Sequence, residues 1–246
     1  MEITSTMVQL QAEAGAMPAF VARPSADGKF PAIVVLPEAF GLNTHIKDVA
    51  SRLARQGYAT LAADLYYRET DRVAGYDNLP EAMRLMTTLW DDKVVKDITA
   101  AISYLQQQSF VRAERVGVTG FCMGGRLAFL TACQVPAVKA AVPFYGAGIG
   151  SVTQPSERTP RAPLEYAGQL AAPMLLFFGE QDSFIPLDEV NKIRRRLVEL
   201  GKDADIVIYP GAPHGFFCNE RDSYRADAAQ DAWQRMLKFF ERHLKG

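Results

Sequence analysis

Short hydrophobic runs alternate with amphipathic stretches along most of the chain. Such runs, when they have the length of a strand, are typical of parallel strands that are covered on both faces. Between them, apolar residues recur at helical spacing, as they do at Ile46, Val49 and Leu53. The alternation predicts the α/β class, with a mainly parallel sheet flanked by helices in a single domain, 1–246. The runs that predict buried strands are 31–37, 58–63, 116–119, 138–145 and 173–178.

The two ends of the sheet and the remaining helices follow from weaker patterns. Residues 6–11 and 17–23 predict an edge hairpin that turns at 14–16, and residues 204–209 predict a final strand. At the end of the chain, apolar residues share one face of a predicted helix, which suits packing on a sheet. Other helices are predicted from Pro80, through Val94 to Leu105, over 126–130 and over 188–200.

Composition narrows the class of partner. The 246 residues are 48% hydrophobic, which suffices for one sizeable core. The net charge is −1 and no long charged block is present, so we expect a small-molecule partner and neither nucleic acid nor a membrane. The first six residues lack the basic start and apolar core of a signal peptide, which favours a cytoplasmic location. The three cysteines, Cys122, Cys133 and Cys218, form no C-x-x-C pair and are interpreted as free thiols.

Cys122 lies where a predicted strand meets a predicted helix, between Gly120 and Gly124. Gly-x-Cys-x-Gly at such a junction is the nucleophile-elbow pattern with cysteine in place of serine. The glycines remove Cβ atoms that would collide in so sharp a turn, and the start of the helix favours a thiolate. The alternative interpretation is a buried structural cysteine in a glycine-rich turn.

Four polar residues come just after predicted strands: Glu38, Cys122, Asp182 and His214. In an open α/β sheet, reactive groups gather outside the carboxyl ends of the strands, so we expect these side chains to share one edge. The chain order Cys, Asp, His is that in which an α/β-hydrolase supplies nucleophile, acid and base. The segments 64–95 and 147–168 are predicted to be surface insertions near this edge.

Of the three histidines, His214 is the candidate base, because it lies in a Gly/Pro loop after the last predicted strand. His243 is predicted to be a solvated helix end, and His45 to border a pocket at a helix start. Asp182 is the candidate that orients His214, although a turn or helix cap is the alternative. Glu38 is interpreted as a second acid/base near the thiol, or else as an acceptor for a nearby helix start.

The stabilising groups of the expected site are backbone amides. The elbow geometry assigns an oxyanion hole to the N–H groups of Met123 and Ala39. No cluster of His, Cys or Asp residues has the spacing of metal ligands, and no glycine-rich phosphate loop is present. We therefore expect no metal and no cofactor. The pattern of residues does not designate substrate-binding groups.

These motifs together resemble the dienelactone hydrolase (carboxymethylenebutenolidase) family, over nearly the whole chain. The cysteine elbow combined with the Glu-x-x-Gly loop carries the resemblance, because most α/β-hydrolases have serine at the first and no such glutamate at the second. The segments concerned are 37–43 (PEAFGLN), 57–59 (GYA), 64–66 (DLY), 120–125 (GFCMGG), 145–146 (YG), 179–182 (GEQD) and 214–216 (HGF).

The resemblance implies an α/β-hydrolase fold and a Cys122–His214–Asp182 triad in which Glu38 controls the protonation of the thiol. It also implies a hydrolase that opens an enol-lactone ring in the degradation of chlorinated aromatics. The family carries an arginine four residues after the catalytic histidine, which binds the substrate carboxylate and sets the electrostatics of the glutamate and the thiol. This chain has Cys218 there, and the next arginine is Arg221. Alternative anion contacts in the inserted region are Arg68, Arg72 and Arg84.

The expected reaction is hydrolysis of a lactone or activated ester through an acyl-thioester on Cys122. A thiolate is itself a good leaving group, so substrates whose alcohol also leaves easily are favoured. Two alternatives stay open on the sequence: an esterase or acyltransferase with a different substrate, and a non-catalytic binding protein on the same scaffold. We expect a monomer or a homodimer.

Overall fold

The computed structural model describes residues 1–152 and 155–246. Its centre is an eight-stranded sheet with the order β1-β2-β4-β3-β5-β6-β7-β8. The strands are β1 (Ile3–Ala12), β2 (Gly15–Pro24), β3 (Phe30–Leu36), β4 (Ala59–Ala63), β5 (Val111–Phe121), β6 (Val138–Phe144), β7 (Met174–Gly179) and β8 (Ala204–Tyr209).

In the described ranges, six α-helices flank the sheet. They are α1 (Thr44–Arg55), α2 (Leu79–Met86), α3 (Asp91–Gln106), α4 (Met123–Gln134), α5 (Leu187–Glu199) and α6 (Ala226–Phe240). A 3₁₀ helix spans Pro163–Gln169, and a π-helical turn, Glu241–Lys245, follows α6. None of the helices in the described ranges combines the length and the hydrophobicity that crossing a bilayer requires.

The pairing of the strands confirms the predicted α/β architecture. Strands β3 to β8 pair in parallel, whereas the β1–β2 hairpin is antiparallel and joins the sheet through an antiparallel contact of β2 with β4. Every residue of β4 and of β7 is buried, as expected of strands covered by helices on both faces. Aromatic rings fill the core beneath the carboxyl ends of the central strands, where Phe121, Phe144 and Phe217 pack with centroids about 5 Å apart.

Several strands extend beyond the apolar residues that predict them. The hairpin pairs without interruption from Ile3 opposite Pro24 to Ala12 opposite Gly15, because backbone pairing continues where the side chains are polar. Strand β5 begins at Val111 for the same reason, and residues 112–115 alternate between exposed and half-buried. The 147–168 insertion contains two residues, 153–154, outside the described ranges, and it contributes buried Leu164 and Ala167 to the core.

Candidate active site

Cys122 occupies a strained turn between β5 and α4. Its φ and ψ are 54° and −115°, a left-handed conformation that non-glycine residues rarely adopt. The flanking glycines are required by close packing: a Cβ on Gly120 would lie 2.2 Å from the carbonyl oxygen of Gly124, and one on Gly124 would lie 2.4 Å from that of Leu36. The turn therefore has the steric features that the elbow pattern predicts, with the thiol ahead of the first residue of α4.

Asp182 and His214 lie side by side after β7 and β8. His214 Nδ1 is 2.8 Å from Asp182 Oδ2, and the two side chains are 8% and 0% exposed. The other carboxylate oxygen of Asp182 accepts the amides of Phe184 and Ile185 at 2.9 and 3.2 Å. Because both oxygens are bonded, the carboxylate is fixed and holds the imidazole with its Nε2 edge turned away from the aspartate.

The pKa of His214 depends on Cys122 as well as on Asp182. Burial lowers the pKa of His214, but the negative charge of the Cys122 thiolate, together with hydrogen bonds to Asp182 and Cys122, raises it to about 10. An anion at Cys122 and a positive imidazole would form a thiolate–imidazolium pair, with the Asp182 carboxylate beside the ring. Pairs of this kind are characteristic of activated cysteine nucleophiles.

Glu38 is completely buried at the end of β3, and both of its oxygens are bonded. Arg221 Nη1 lies 3.1 Å from Oε1, and the hydroxyl of Tyr76 donates to Oε2 at 3.0 Å. That hydroxyl in turn accepts from Asn43 Nδ2 at 3.0 Å and from the Cys218 thiol at 3.2 Å. The carboxylate is thus compensated by a cation and a phenol, as a buried charge requires.

Arg221 supplies a cation beside Glu38, where the family resemblance implies an arginine at position 218. Its guanidinium also lies over the rings of Phe40 and Tyr76, at 5.3 and 5.6 Å from their centroids. The room for it comes from Gly215, whose φ is 77° and where a Cβ would lie 2.5 Å from Arg221 Nη1. The sequence left open whether another cation replaces the arginine that Cys218 displaces, and in the structure Arg221, three positions later, reaches the Glu38 carboxylate.

The three arginines of the inserted region are used elsewhere. Each pairs with a carboxylate, at 2.6 Å for Arg68 and 3.0 Å for Arg72, while Arg84 bonds Glu81 at 2.7 Å. None of the three is among the described residues that line the cavity at Cys122. They are not anion contacts of this site in the present arrangement.

The two amides assigned to an oxyanion hole lie on segments that one side chain ties together. The hydroxyl of Tyr66 donates to the carbonyl of Ala39 at 3.0 Å and lies 3.2 Å from the sulfur of Met123. Among the described residues, no backbone hydrogen bond outside the regular helices and strands involves the amide of Ala39 or of Met123. Met123 is the first residue of α4, where helix amides have no partner within the helix.

The other two histidines take no part in this arrangement. His45 is buried in the core, where its ring meets Phe121 and Phe217 edge-on. It is not among the described lining residues, so the prediction that it borders the pocket is wrong, and burial lowers its pKa. His243 packs against Phe239 at 4.5 Å in the final turn, so it is less solvated than the sequence suggests.

A cavity of about 940 Å³ opens above the thiol. Cys122, His214 and Arg221 lie in its wall, and the opposite walls come from α2, the α2–α3 connection and residues 147–159 as far as they are described. In the wall, Arg126 binds Asp91 through two hydrogen bonds of 2.6 and 2.7 Å. Within the described ranges, no group of three or more His, Cys, Asp or Glu side chains is arranged to hold a metal ion.

The sequence gives no role to Tyr76 or to the Asp91–Arg126 pair, and Tyr66 enters only as part of the family motif 64–66. Tyr76 lies in a polar insertion without periodicity, so no local pattern connects it with Glu38. Arg126 carries one signal, its position one helical turn after Cys122, which places it on the side of α4 near the thiol.

The profile of the Dienelactone hydrolase family matches residues 17–244 of this chain. A protein of Methylorubrum extorquens with the provisional name carboxymethylenebutenolidase is 38% identical over 237 residues, which are 96% of this chain and 80% of that protein. A Bradyrhizobium protein is also 38% identical, with 93% and 90% coverage, and its provisional name is 2-oxo-3-(5-oxofuran-2-ylidene)propanoate lactonase.

Solved structures show the same relationship. The crystal structure of a provisionally named dienelactone hydrolase from Klebsiella pneumoniae superposes with a TM-score of 0.91 at 36% identity, and the match covers 99% of this chain and 100% of that one. The predicted α/β-hydrolase fold is therefore confirmed. The chain is a hydrolase that belongs to the dienelactone hydrolase family.

Proposed function

We propose that this protein hydrolyses lactones or activated carboxylic esters through a covalent thioester on Cys122. The observation that carries the proposal is that Cys122 and His214 line one cavity while the buried Asp182 carboxylate lies 2.8 Å from the imidazole. A protonated His214, whose pKa is raised, and the start of α4 stabilise the thiolate that this proposal requires. A structural cysteine would have no need of such a partner.

In the first step, the sulfur of Cys122 attacks the carbonyl carbon, and a carbon–sulfur bond forms as the carbonyl electrons move onto oxygen. The amides of Ala39 and Met123 stabilise that oxyanion, because they lie beside the elbow and lack backbone partners there. His214 then gives its proton to the departing alkoxide as the carbon–oxygen bond breaks. In a lactone the departing oxygen stays attached to the acyl group, and the ring opens.

In the second step, water attacks the thioester. His214, now neutral, takes a proton from that water, and Asp182 stabilises the ring as it becomes positive again. The carbon–sulfur bond breaks, the acid is released and the thiolate–imidazolium pair is restored. The elements of water are thus added across one ester bond and nothing is oxidised or reduced.

Glu38 contributes through its charge. The family resemblance assigns it control over the protonation of the thiol, and here Arg221 and Tyr76 are the groups that hold it. With Arg221 bound, the negative charge of Glu38 is balanced and does not oppose the formation of a second anion on Cys122. In this proposal Glu38 and Arg221 act as positioning residues for the thiol.

The substrate class rests on leaving-group chemistry. The tetrahedral intermediate expels either the thiolate or the alcohol, so an enol or aryl oxygen, which leaves readily, favours forward reaction. Enol-lactones and aryl esters meet this requirement, and amides do not. The name of the Bradyrhizobium relative supports a lactone.

The test is a comparison of Cys122→Ala with Cys133→Ala, which removes a buried thiol outside the cavity. With p-nitrophenyl acetate, we expect Cys122→Ala to lose at least about a thousandfold in kcat/KM, as removal of a nucleophile does in related triads, and Cys133→Ala to retain turnover. Mass spectrometry of the wild-type protein quenched during turnover should show one added acetyl group, located on the peptide that contains Cys122. Retention of activity by Cys122→Ala would overturn the proposal.

A further inference from the structure

The cavity at Cys122 has a predominantly apolar wall on the side of α2. Helix α2 and the connection to α3 supply most of it, and α4 and the loop after Asp182 supply the rest. Its larger apolar side chains include Leu79, Met83, Met86, Leu89, Leu127 and Phe184. Its volume, about 940 Å³, lies near the upper end of the range of about 300–1,000 Å³ that is usual for pockets of drug-sized ligands.

Helix α2 carries apolar side chains on two faces: one packs on the core and the other borders the cavity. Ala82 and Leu85 are fully buried and attach the helix to the core. Leu79 and Met83 are 47% and 44% exposed, and both line the cavity. Phe184, which is 59% exposed, also lines the cavity. Large apolar side chains gathered at the mouth of a pocket gain free energy when a ligand covers them.

The cations in the same wall already have partners. Arg126 binds Asp91 through two short hydrogen bonds, and Arg221 binds Glu38. Arg158 donates to the carbonyl oxygen of Thr87. A substrate carboxylate would have to compete with one of these contacts, two of which are ion pairs with buried or mostly buried carboxylates. An uncharged group has no such competitor.

We propose that the substrate of this site carries a large, uncharged apolar group, of the size of an aryl ring or a medium-length acyl chain, which lies against α2. This inference rests on the proposed ester or lactone hydrolysis. The group enters beside the thiol and covers Met83 and Leu79, while the reacting carbonyl stays at Cys122. A compact lactone with a free carboxylate would leave most of the apolar wall in water.

The first experiment measures kcat/KM for p-nitrophenyl acetate, butanoate, hexanoate and octanoate, which share one leaving group. We expect a rise of about twofold to fourfold per added methylene, since burial of a methylene in a fully apolar site corresponds to about fourfold. A parallel series of acetates with phenyl and naphthyl leaving groups places the apolar group on the alcohol side if only that series rises. If both series are flat or fall, the inference is wrong, whereas turnover of the acetate alone keeps the hydrolase proposal intact.

The second experiment isolates the effect of charge. The p-nitrophenyl monoester of adipic acid has the same carbon chain as the hexanoate and ends in a carboxylate. We expect its kcat/KM to be at least tenfold below that of the hexanoate. A monoester that reacts faster than the hexanoate would overturn the inference and would show that one of the arginines binds the carboxylate.

The third experiment assigns the effect to α2. In Met83→Glu, a charge replaces an apolar side chain in the wall, and we expect the ratio of octanoate to acetate kcat/KM to fall at least fivefold. Val198→Glu is the matched control, because Val198 lies on α5, is 72% exposed and is not a lining residue. Its ratio should equal that of the wild type. An unchanged ratio in Met83→Glu, with a far-ultraviolet circular dichroism spectrum like that of the wild type, would contradict the assignment.

Discussion

A guanidinium nitrogen of Arg221 lies 3.1 Å from a carboxylate oxygen of Glu38, although 183 positions separate the two residues. The Glu38 side chain is fully buried, and without a cation its charge would be costly. Gly215, directly after His214, leaves the space that the guanidinium occupies. The loop that follows β8 therefore positions both the imidazole and the cation.

The ion pair predicts a large effect of Arg221→Gln. An unpaired buried carboxylate would remain, so we expect the free energy of unfolding to fall by about 3–5 kcal/mol and kcat/KM to fall with it. Urea unfolding followed by fluorescence measures the first quantity. Arg84→Gln serves as the control, because that arginine pairs with Glu81 at the surface and should change stability little.

The same pair can be examined by a double-mutant cycle. In Glu38→Gln/Arg221→Gln neither charge remains, so the loss of stability should be clearly smaller than the sum of the two single losses. If the losses add, the two side chains do not interact in solution.

The charge state of His214 predicts a pH titration. Burial lowers the pKa of His214, but an anion at Cys122 and the contacts with Asp182 raise it to about 10, so the imidazole should stay protonated through neutral pH and lose its proton near pH 10. A neighbouring negative charge favours the protonated ring, so its removal in Cys122→Ala should move the midpoint to lower pH. Nitrogen chemical shifts of labelled histidine, recorded against pH by NMR, measure both midpoints. The same midpoint in both proteins would exclude a thiolate–imidazolium pair.

Asp182→Asn should lower kcat while the fold persists. The amide cannot stabilise the positive ring and favours the wrong tautomer of His214, and in serine proteases the corresponding change costs about 10⁴ in kcat. We expect a loss of at least about a hundredfold here, as is usual for removal of one acid–base component. The control is Glu180→Gln, since Glu180 is exposed and bonds only the Gly211 amide among the side-chain contacts described. Activity within a few-fold of the wild type in Asp182→Asn would remove it from the mechanism.

Gly124→Ala should disrupt the elbow. The new Cβ would lie 2.4 Å from the carbonyl oxygen of Leu36, a rigid backbone atom at the end of β3. We expect the free energy of unfolding to fall by about 1–3 kcal/mol or more, and turnover to fall because Cys122 shifts. Gly168→Ala, where no atom lies within 4 Å of the added Cβ, should be close to neutral. Equal melting temperatures for the two variants would contradict the steric argument.

The sequence by itself determined the sheet, the elbow and the set of residues at the strand ends. Buried strands and the Gly-x-Cys-x-Gly turn follow from local patterns, since hydrophobic runs and glycine spacing reflect steric demands within a few residues. Once the strands are parallel, Glu38, Cys122, Asp182 and His214 must arrive at one edge. The predicted strand limits were too short because backbone pairing continues beyond the apolar runs. The prediction for His45 was wrong because its ring packs in the core.

Only the tertiary structure decided which side chains surround that edge. Arg221, not a residue at position 218, reaches Glu38, and Tyr76 from a polar insertion completes its hydrogen bonds. The apolar wall formed by α2 likewise became visible only in the tertiary structure. Side chains from loops and insertions carry no periodicity, and their direction depends on how distant segments pack. Their contacts therefore become defined only when the whole chain is folded.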